Sequence, residues 1–231
     1  AKRTHFLVAI GNEVKEDLIS AGIGSPAQYK VFFPGLPAPH TAGKAELRQM
    51  LGLDAAKIYC TFVGRLTQIK RPDRLLDIAS AMQARGVAVE FLVAGEGELF
   101  AQSQTRAKSE QLPVTFLGWR KDIDDLFAAS DIAILTSDNE GIPLTLIQAA
   151  QAGLPIIAPK VGSISDIVEN DVTGFLTSPA PGAMASALSA LATDEKLRIQ
   201  LGGAGEKRAS ELFSLERMLR DHTEIYHLAH R

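Results

Sequence analysis

Cysteine is nearly missing from this chain: among 231 residues there is one, Cys60, inside the apolar run Ile58-Tyr-Cys-Thr-Phe-Val63. No intrachain disulfide can form, and a lone thiol in such a run packs as a small core residue, so a reducing, cytoplasmic setting is expected. Charge of one sign is missing too. The 24 Lys+Arg against 27 Asp+Glu leave a formal net charge of −3, which lacks the broad basic footprint that nucleic acid requires, and no nucleic-acid partner is expected. No stretch reaches the roughly 18 to 20 consecutive apolar residues that span a bilayer, and no apolar run with a small-residue cleavage site opens the chain. The five histidines, His5, His40, His222, His227 and His230, are scattered or terminal and contain no i, i+4 pair, so a metal site is not expected. A Gly-x-Ser-x-Gly elbow is also absent, which disfavours a Ser-His-Asp hydrolase. The first element begins almost at Ala1, so the sequence is expected to be part of a longer polypeptide.

What is present is a rhythm. From about residue 57, short Val- and Ile-rich runs alternate with amphipathic stretches, the pattern of strand-helix-strand units on a parallel sheet covered on both faces. Strands are predicted at Ile58–Val63, Val89–Ala94, Val114–Leu117, Ile132–Leu135, Pro155–Ala158 and Gly174–Leu176. Helices are predicted near Pro72–Arg85, Glu98–Glu110, Asp122–Ala129, Thr145–Ala152 and Ile164–Val168. The fold class that follows is α/β, a doubly wound parallel sheet. The tail from Ala180 to Arg231 reads as two or three further helices that pack back across the molecule. Residues 1–36 differ in kind: a strand-like Phe6–Ile10, a helix Glu13–Ala21 and a strand-like Tyr29–Phe33, followed by Pro34-Gly-Leu-Pro-Ala-Pro39, a candidate linker. A unit this small cannot bury its own apolar faces and must lean on something larger.

In an open α/β sheet, ligands bind beyond the carboxyl ends of the strands, so the loops there carry the candidates. After the first strand comes Gly64-Arg-Leu-Thr-Gln-Ile-Lys70. Gly64 allows close backbone approach, and Arg65 and Lys70 offer a forked donor and a point charge to a phosphate; taken alone, they are equally well solvated loop charges. Gly95-Glu-Gly97 mimics a dinucleotide fingerprint, but it follows the second strand and has Phe100 where a third glycine would stand. After Ile132–Leu135, a helix starting near Pro143 offers free N–H groups around Gly141 and Ile142, with Glu140 at its mouth. That carboxylate either caps the helix or accepts from sugar hydroxyls. Asp122-Ile-Asp124 mimics a metal signature but opens a helix, where aspartates are ordinary capping residues.

Taken in order, Val63-Gly-Arg-Leu…Lys70, Leu92-Val-Ala-Gly-Glu-Gly97, Phe116-Leu-Gly-Trp-Arg120, Ala129-Ser-Asp-Ile-Ala-Ile-Leu135, Glu140-Gly-Ile-Pro, Ala152-Gly-Leu-Pro-Ile-Ile-Ala158 and Gly162…Thr173-Gly-Phe-Leu176 resemble glycosyltransferase family 4 over about residues 31–225. The resemblance implies the C-terminal, donor-binding half of a two-domain GT-B enzyme with a Rossmann-like fold. Residues 1–36 would be the remnant of the N-terminal domain plus linker, and 37–231 the nucleotide-sugar-binding domain. It further implies retaining transfer of a hexosyl or N-acetylhexosaminyl group in cell-surface glycan or glycoconjugate synthesis. The nucleotide sugar is then substrate, with no cofactor and no metal. The missing domain is a partner in the same polypeptide, through which the enzyme would touch the inner face of the membrane. Arg65, Lys70 and Glu140 would be catalytic, the cations on the diphosphate and Glu140 on the donor sugar. Gly64, Gly141, Ile142, Pro143 and Leu144 would line the donor, and Trp119 and Arg120 would meet the base.

The sequence departs from that pattern at Gln148, where the family carries the Glu that takes the ribose diol, at Ser163, where a second Gly is usual, and at Asp166, where Glu is usual. From spacing alone, Gln148→Glu is expected to tighten nucleotide binding several-fold by making a neutral bond charge-assisted. The alternative function is a non-catalytic nucleotide or nucleotide-sugar binding module; retention of Arg65, Lys70 and Glu140 together favours the enzyme.

Overall fold

The computed structural model describes residues 4–39 and 41–229; His40 and His230 lie outside the described residues. A two-stranded parallel unit comes first, β1 (Leu7–Ala9), α1 (Asn12–Ser20) and β2 (Tyr29–Val31). Next come α2 (Lys44–Met50), β3 (Tyr59–Val63), α3 (Pro72–Ala84), β4 (Glu90–Ala94), α4 (Phe100–Ser109), β5 (Val114–Gly118), α5 (Ile123–Ala129) and β6 (Ile132–Ile134). The chain continues through α6 (Leu144–Gln151), β7 (Ile156–Pro159), α7 (Ile164–Ile167), β8 (Gly174–Thr177), α8 (Pro181–Thr193), α9 (Glu195–Leu212) and α10 (Leu215–Ala229). The predicted strands of the main sheet hold to within a residue at each end. One helix, α2, has no counterpart in the sequence reading. Its seven residues bury only Leu47 and Arg48, too little to show a 3.6-residue period.

The main sheet is six-stranded, in the order β5-β4-β3-β6-β7-β8, with every pairing parallel. The four central strands are almost wholly buried because helices cover both faces, which explains continuous apolar runs in place of alternation, whereas the edge strands β5 and β8 are mostly half-buried. On one face α3 packs against α4 and α8; on the other α5 packs between α2 and α6, and α9 joins α8 to α6 around the β8 edge. Cys60, in β3, is fully buried, and desolvation pushes its thiol pKa up, so it packs and does not react. The chain builds outward from β3 to β4 and β5, then crosses back to place β6 on the other side of β3. That reversal makes the gap between the ends of β3 and β6 the switch point of the sheet, where a crevice opens.

One polar network pins α2 to the sheet. Asp131, just before β6, accepts from Arg48 Nη2 at 2.6 Å, Lys44 Nζ at 2.6 Å and the Tyr59 amide at 2.7 Å. Arg48, itself buried, also donates to the carbonyls of Ala129 and Ala55 and lies over the Tyr59 ring.

The β1-α1-β2 unit leans on the rest of the molecule at two places. At the first, buried Asp166 in α7 accepts from the Asn12 amide and from Asn12 Nδ2, both at 2.7 Å, so a carboxylate from the larger unit neutralises the N-terminus of α1. At the second, α10 turns back across the chain. The Leu36 amide donates to the Phe213 carbonyl, the Leu215 amide donates to the Leu36 carbonyl, and Phe33 packs on Phe213 at 5.2 Å between ring centroids. Arg217 adds a bond to the Phe33 carbonyl, and His222 packs on Phe32 while its Nδ1 meets the Met218 carbonyl. The Pro-rich stretch read as a linker is therefore fastened at Leu36. The tail helices number three and pack back as expected.

Candidate functional site

Two loops meet at the switch point, and backbone bonds stitch them together. The loop after β3 runs through Gly64 and Arg65 to a 3-10 turn, Gln68–Lys70; the loop after β6 runs from Leu135 to α6. The Asp138 amide donates to the Ile69 carbonyl at 2.8 Å, and Thr136 Oγ1 donates to the Lys70 carbonyl at 2.8 Å. Behind them, buried Arg74 of α3 bonds the Thr136 carbonyl and reaches Asp138 Oδ1 at 2.6 Å. Arg71 follows Lys70 with φ 54° and ψ 56°, a left-handed backbone that costs a non-glycine residue about 1 kcal/mol or more. Its guanidinium forks onto Asp73 and Asp138, which holds the turn in place. Desolvation pulls the Asp138 pKa upward, but bonds from Arg74 and Arg71 outweigh it and hold that carboxyl below its ordinary range. The Arg71 fork likewise holds Asp73 low.

The Gly95-Glu-Gly97 turn finds its explanation here. A Cβ on Gly95 would stand 2.0 Å from the Gly64 carbonyl oxygen, and one on Gly97 would stand 2.4 Å from that of Leu66. Those glycines let the β4 loop press against the β3 loop, where the Leu66 amide donates to the Glu96 carbonyl and the Leu99 amide to the Leu66 carbonyl. Their role is to shape the neighbouring loop.

Within this frame Arg65 is exposed and, among the described residues, its side chain has no hydrogen-bond or ionic partner. Lys70 and Glu140 meet directly: Lys70 Nζ is ion-paired to Glu140 Oε1, which also accepts from Ser137 Oγ at 2.5 Å. The Glu140 side chain is only 9% exposed and that of Lys70 20%. Burial strengthens such a pair and makes it costly to leave either partner alone. An ammonium carries three donors, so Lys70 keeps two for an anion while Glu140 holds the third. The Glu140 side chain thus pairs with Lys70 and does not cap the helix. Gly162 lies behind its backbone at φ 52°, where a Cβ would come 1.7 Å from the Glu140 carbonyl oxygen.

At the helix mouth, side chain and backbone differ in what they offer. Ile142 and Pro143 are buried, Ile142 within the main core, and Pro143 has no N–H to give. What this terminus offers a ligand is backbone, the amides of Gly141, Ile142 and Leu144, with Gly141 and Leu144 exposed.

At the far side, Trp119 is 71% exposed just after β5. Arg120 is engaged by Asp122, with Nε donating to Oδ1 at 3.0 Å, and that bond holds the Asp122 carboxyl below its ordinary range. The two aspartates of Asp122-Ile-Asp124 do not cap α5 with their side chains. Asp122 sits at the N-cap but turns to Arg120 because a charge-assisted fork outcompetes a bond to backbone amide. Asp124 turns to Gln148, whose Nε2 donates to Asp124 Oδ1 at 2.9 Å. Ser163 is buried beneath Gly11 with its hydroxyl unpaired. Among the described residues no group of three or more His, Cys, Asp or Glu side chains is placed to hold a metal ion.

The structure joins Lys70 to Glu140 in an ion pair just before α6, with Gln148 one helical turn into that helix, while Arg65 lies exposed in the same β3 loop and makes no hydrogen bond or ion pair with either. Sequence reasoning missed Ser137, Thr136, Arg74 and Asp138, which set the Lys70–Glu140 geometry. The sole signal for them was a polar cluster, Thr136-Ser-Asp138, at the end of a buried strand.

Residues 43–208 match the family model described as Glycosyl transferases group 1. The chain is 30% identical over 185 residues to the UDP-Gal:alpha-D-GlcNAc-diphosphoundecaprenol alpha-1,3-galactosyltransferase of Escherichia coli, covering 76% of this chain and 48% of that protein. It is 31% identical over 237 residues to the D-inositol 3-phosphate glycosyltransferase of Rhodococcus jostii (strain RHA1), covering 96% and 52%. Among solved structures it shares the fold of Anabaena Alr3699/HepE in complex with UDP and glucose, with a TM-score of 0.86 at 23% identity over 96% of this chain and 62% of that one. The chain spans about half the length of the curated relatives it matches.

Proposed function

The chain belongs to the group 1 glycosyl transferases, and from that premise we propose that it is the donor-binding half of a retaining, metal-independent GT-B enzyme of the family 4 type. Residues 1–36 are the last strand-helix-strand of the acceptor-side domain with its linker, and 37–231 bind the nucleotide sugar. The group moved is a hexosyl or N-acetylhexosaminyl residue, in glycan or glycoconjugate synthesis at the cytoplasmic side. The observation that carries this reading is the Lys70–Glu140 ion pair, which ties the loop after β3 to the loop before α6 at the switch point of the sheet.

As the anomeric C–O bond breaks, negative charge gathers on the leaving diphosphate. Arg65, the two remaining donors of Lys70 and the helix amides stand ready for that charge without reorganising, which is where an electrostatic contribution to rate is largest. Glu140, a pure acceptor, suits sugar hydroxyls and would repel phosphate; Lys70 beside it keeps the carboxylate oriented. The cations take the part that a divalent metal plays elsewhere, on the same charge balance.

Calorimetric titration of the 231-residue chain with UDP, GDP and ADP, with and without a chelator, tests the reading. Binding of at least one nucleotide, unchanged by chelator and weakened about tenfold or more by Lys70→Ala or Arg65→Ala, is expected. No binding, or binding abolished by chelator, would overturn it. The same chain is expected to transfer no sugar to an acceptor, because the closed interdomain cleft that excludes water and orients the acceptor needs both halves.

A further inference from the structure

Ser163 is a buried polar group that the donor-site reading leaves unused. Its hydroxyl is enclosed without a hydrogen-bond partner, and the opening segment of the chain helps to enclose it: a Cβ on Gly11 would stand 2.4 Å from Ser163 Oγ and 3.0 Å from Asp166 Oδ2. Gly11 is extended, at φ −161° and ψ 161°, a backbone that any residue adopts, so glycine is required there for room. That room lets the turn 10–12 lie flat on the loop after β7, where Asp166 grips Asn12 by two bonds of 2.7 Å. Arg208 of α9 fixes Asp166 from behind, donating to its carbonyl at 3.0 Å. The same loop also carries Glu140, because the Ser163 amide donates to the Glu140 carbonyl at 3.4 Å. Residues 162–163 are thus a thin spacer between the opening segment and the Glu140 loop.

That stacking sets one side chain at the crevice. Ile10 is 48% exposed, and its Cδ1 lies 3.8 Å from the point where a Cβ of Gly141 would stand, so it flanks the residue next to Glu140. The strands run β5-β4-β3-β6-β7 along the carboxyl edge. Trp119 therefore stands at one end, the cations of the β3 loop in the middle, and the turn 10–12, seated on the loop after β7, at the other. An aliphatic side chain offers a diphosphate nothing. Glu140 spends Oε1 on Lys70 and Ser137, and among the described residues its Oε2 takes no hydrogen bond. An apolar wall beside a free carboxylate oxygen suits a sugar, whose hydroxyl the oxygen receives while the wall meets its C–H face and keeps water from the bond. Resting on the donor-site reading above, we propose that the turn 10–12 closes the sugar end of the crevice, with Ile10 as its contact surface and Asp166 as the positioning residue that holds it there. The opening segment then discriminates a nucleotide sugar from its nucleoside diphosphate, although it touches neither base nor phosphate.

The experiment is titration of the 231-residue chain with UDP-glucose, UDP-N-acetylglucosamine, GDP-mannose and ADP-glucose, and with UDP, GDP and ADP. The sugar-to-diphosphate affinity ratio is taken within each variant so that partial unfolding cancels. Ile10→Ala, at an exposed position, should lower that ratio about fivefold with diphosphate affinity little changed. Asn12→Asp sets two carboxylates together and Asp166→Asn sets an amide against an N–H donor, and each should lower the ratio by a similar factor. Asn12→Asp combined with Asp166→Asn restores opposite partners and should return the ratio to within about twofold of wild type. An Asp166 that served stability alone would lower the melting temperature of Asp166→Asn and leave its ratio unmoved. That result, a ratio unmoved by Ile10→Ala, or a double variant no better than the singles overturns the proposal and leaves the donor-site reading standing. Absence of any nucleotide binding by wild type overturns the donor-site reading and this proposal with it.

Discussion

Gln148→Glu is the substitution on which spacing and geometry disagree. By spacing, a carboxylate at 148 tightens nucleotide binding. By geometry, it places a second carboxylate where Nε2 now stands, 2.9 Å from Asp124 Oδ1. Two unit charges at that separation repel by about 6 kcal/mol at an effective dielectric of 20 and about 1.4 kcal/mol in water. Both side chains are partly exposed and end in rotatable bonds, so they will swing apart and the lower end applies. Adding the lost hydrogen bond to a charged group, about 1.5 kcal/mol, brings the penalty to about 3 kcal/mol, a fall in melting temperature of about 6 to 12 °C for a chain of this size. The pH dependence has a definite sign. Beside Asp124 the introduced carboxyl binds its proton more tightly in the folded than in the unfolded protein, so the penalty is full at neutral pH, shrinks as pH falls, and is gone below the unfolded carboxyl value of about 4. Calorimetric melts at pH 7 and pH 4.5, with Asp124→Asn added in a double-mutant cycle, read all of this; the double variant should regain most of the loss. A Gln148→Glu protein that melts with wild type at pH 7, or binds the nucleotide more tightly while Asp124 is intact, would show that the contact does not exist.

Three other outcomes are expected. Asp131→Asn leaves the buried guanidinium of Arg48 without its charge partner and should cost about 3 kcal/mol in urea denaturation; a loss under about 1 kcal/mol would contradict the network. Gly162→Ala pushes a methyl into the Glu140 carbonyl and so shifts the Glu140 loop. The preference for a nucleotide sugar over its nucleoside diphosphate should then drop about tenfold in titrations, and an unchanged preference would show that this loop does not hold the sugar. Asp73, Asp122 and Asp138, all held below the ordinary carboxyl range, contribute stability that is complete above about pH 4 and is lost as pH falls through their lowered values. Denaturation midpoints from pH 6 to pH 2 should show Asp138→Asn weaker at the start and flatter in its acid decline, and an acid decline as steep as wild type would count against the Arg71–Asp138–Arg74 clamp.

The main sheet was legible because its strands are short, apolar and separated by helices, with the four central ones buried, so that strand boundaries coincide with changes in apolar content. The β3 and β6 loops were legible for a related reason: Arg65, Lys70 and Glu140 are charges placed directly after buried strands, where nothing about the core calls for them. Their mutual arrangement was not. That Lys70 pairs with Glu140, 70 residues on, depends on strand order, and strand order is set by which side of β3 the chain returns to. The same blindness hid the Asp124–Gln148 contact and led to aspartates at a helix start being read as caps. A capping preference is a local quantity, whereas Arg120 and Gln148 reach those carboxylates by side-chain geometry that no spacing rule contains.

The fastening of Leu36 and Phe33 by residues 213–217 also constrains the order in which the molecule assembles. The bonds from Gly35 to Met218 and from Arg217 to Phe33 close loops of 183 and 184 residues. While a ribosome is still making the intervening chain, β1, α1 and β2 have no tail to settle against, although the six-stranded sheet is complete from its own neighbours once residue 177 has emerged. The contacts of Phe32 with His222 and of Phe33 with Phe213 therefore form only when the last helices arrive. Pulse-labelling by hydrogen exchange during refolding should find residues 29–36 protected last, together with α10, as one late cooperative unit.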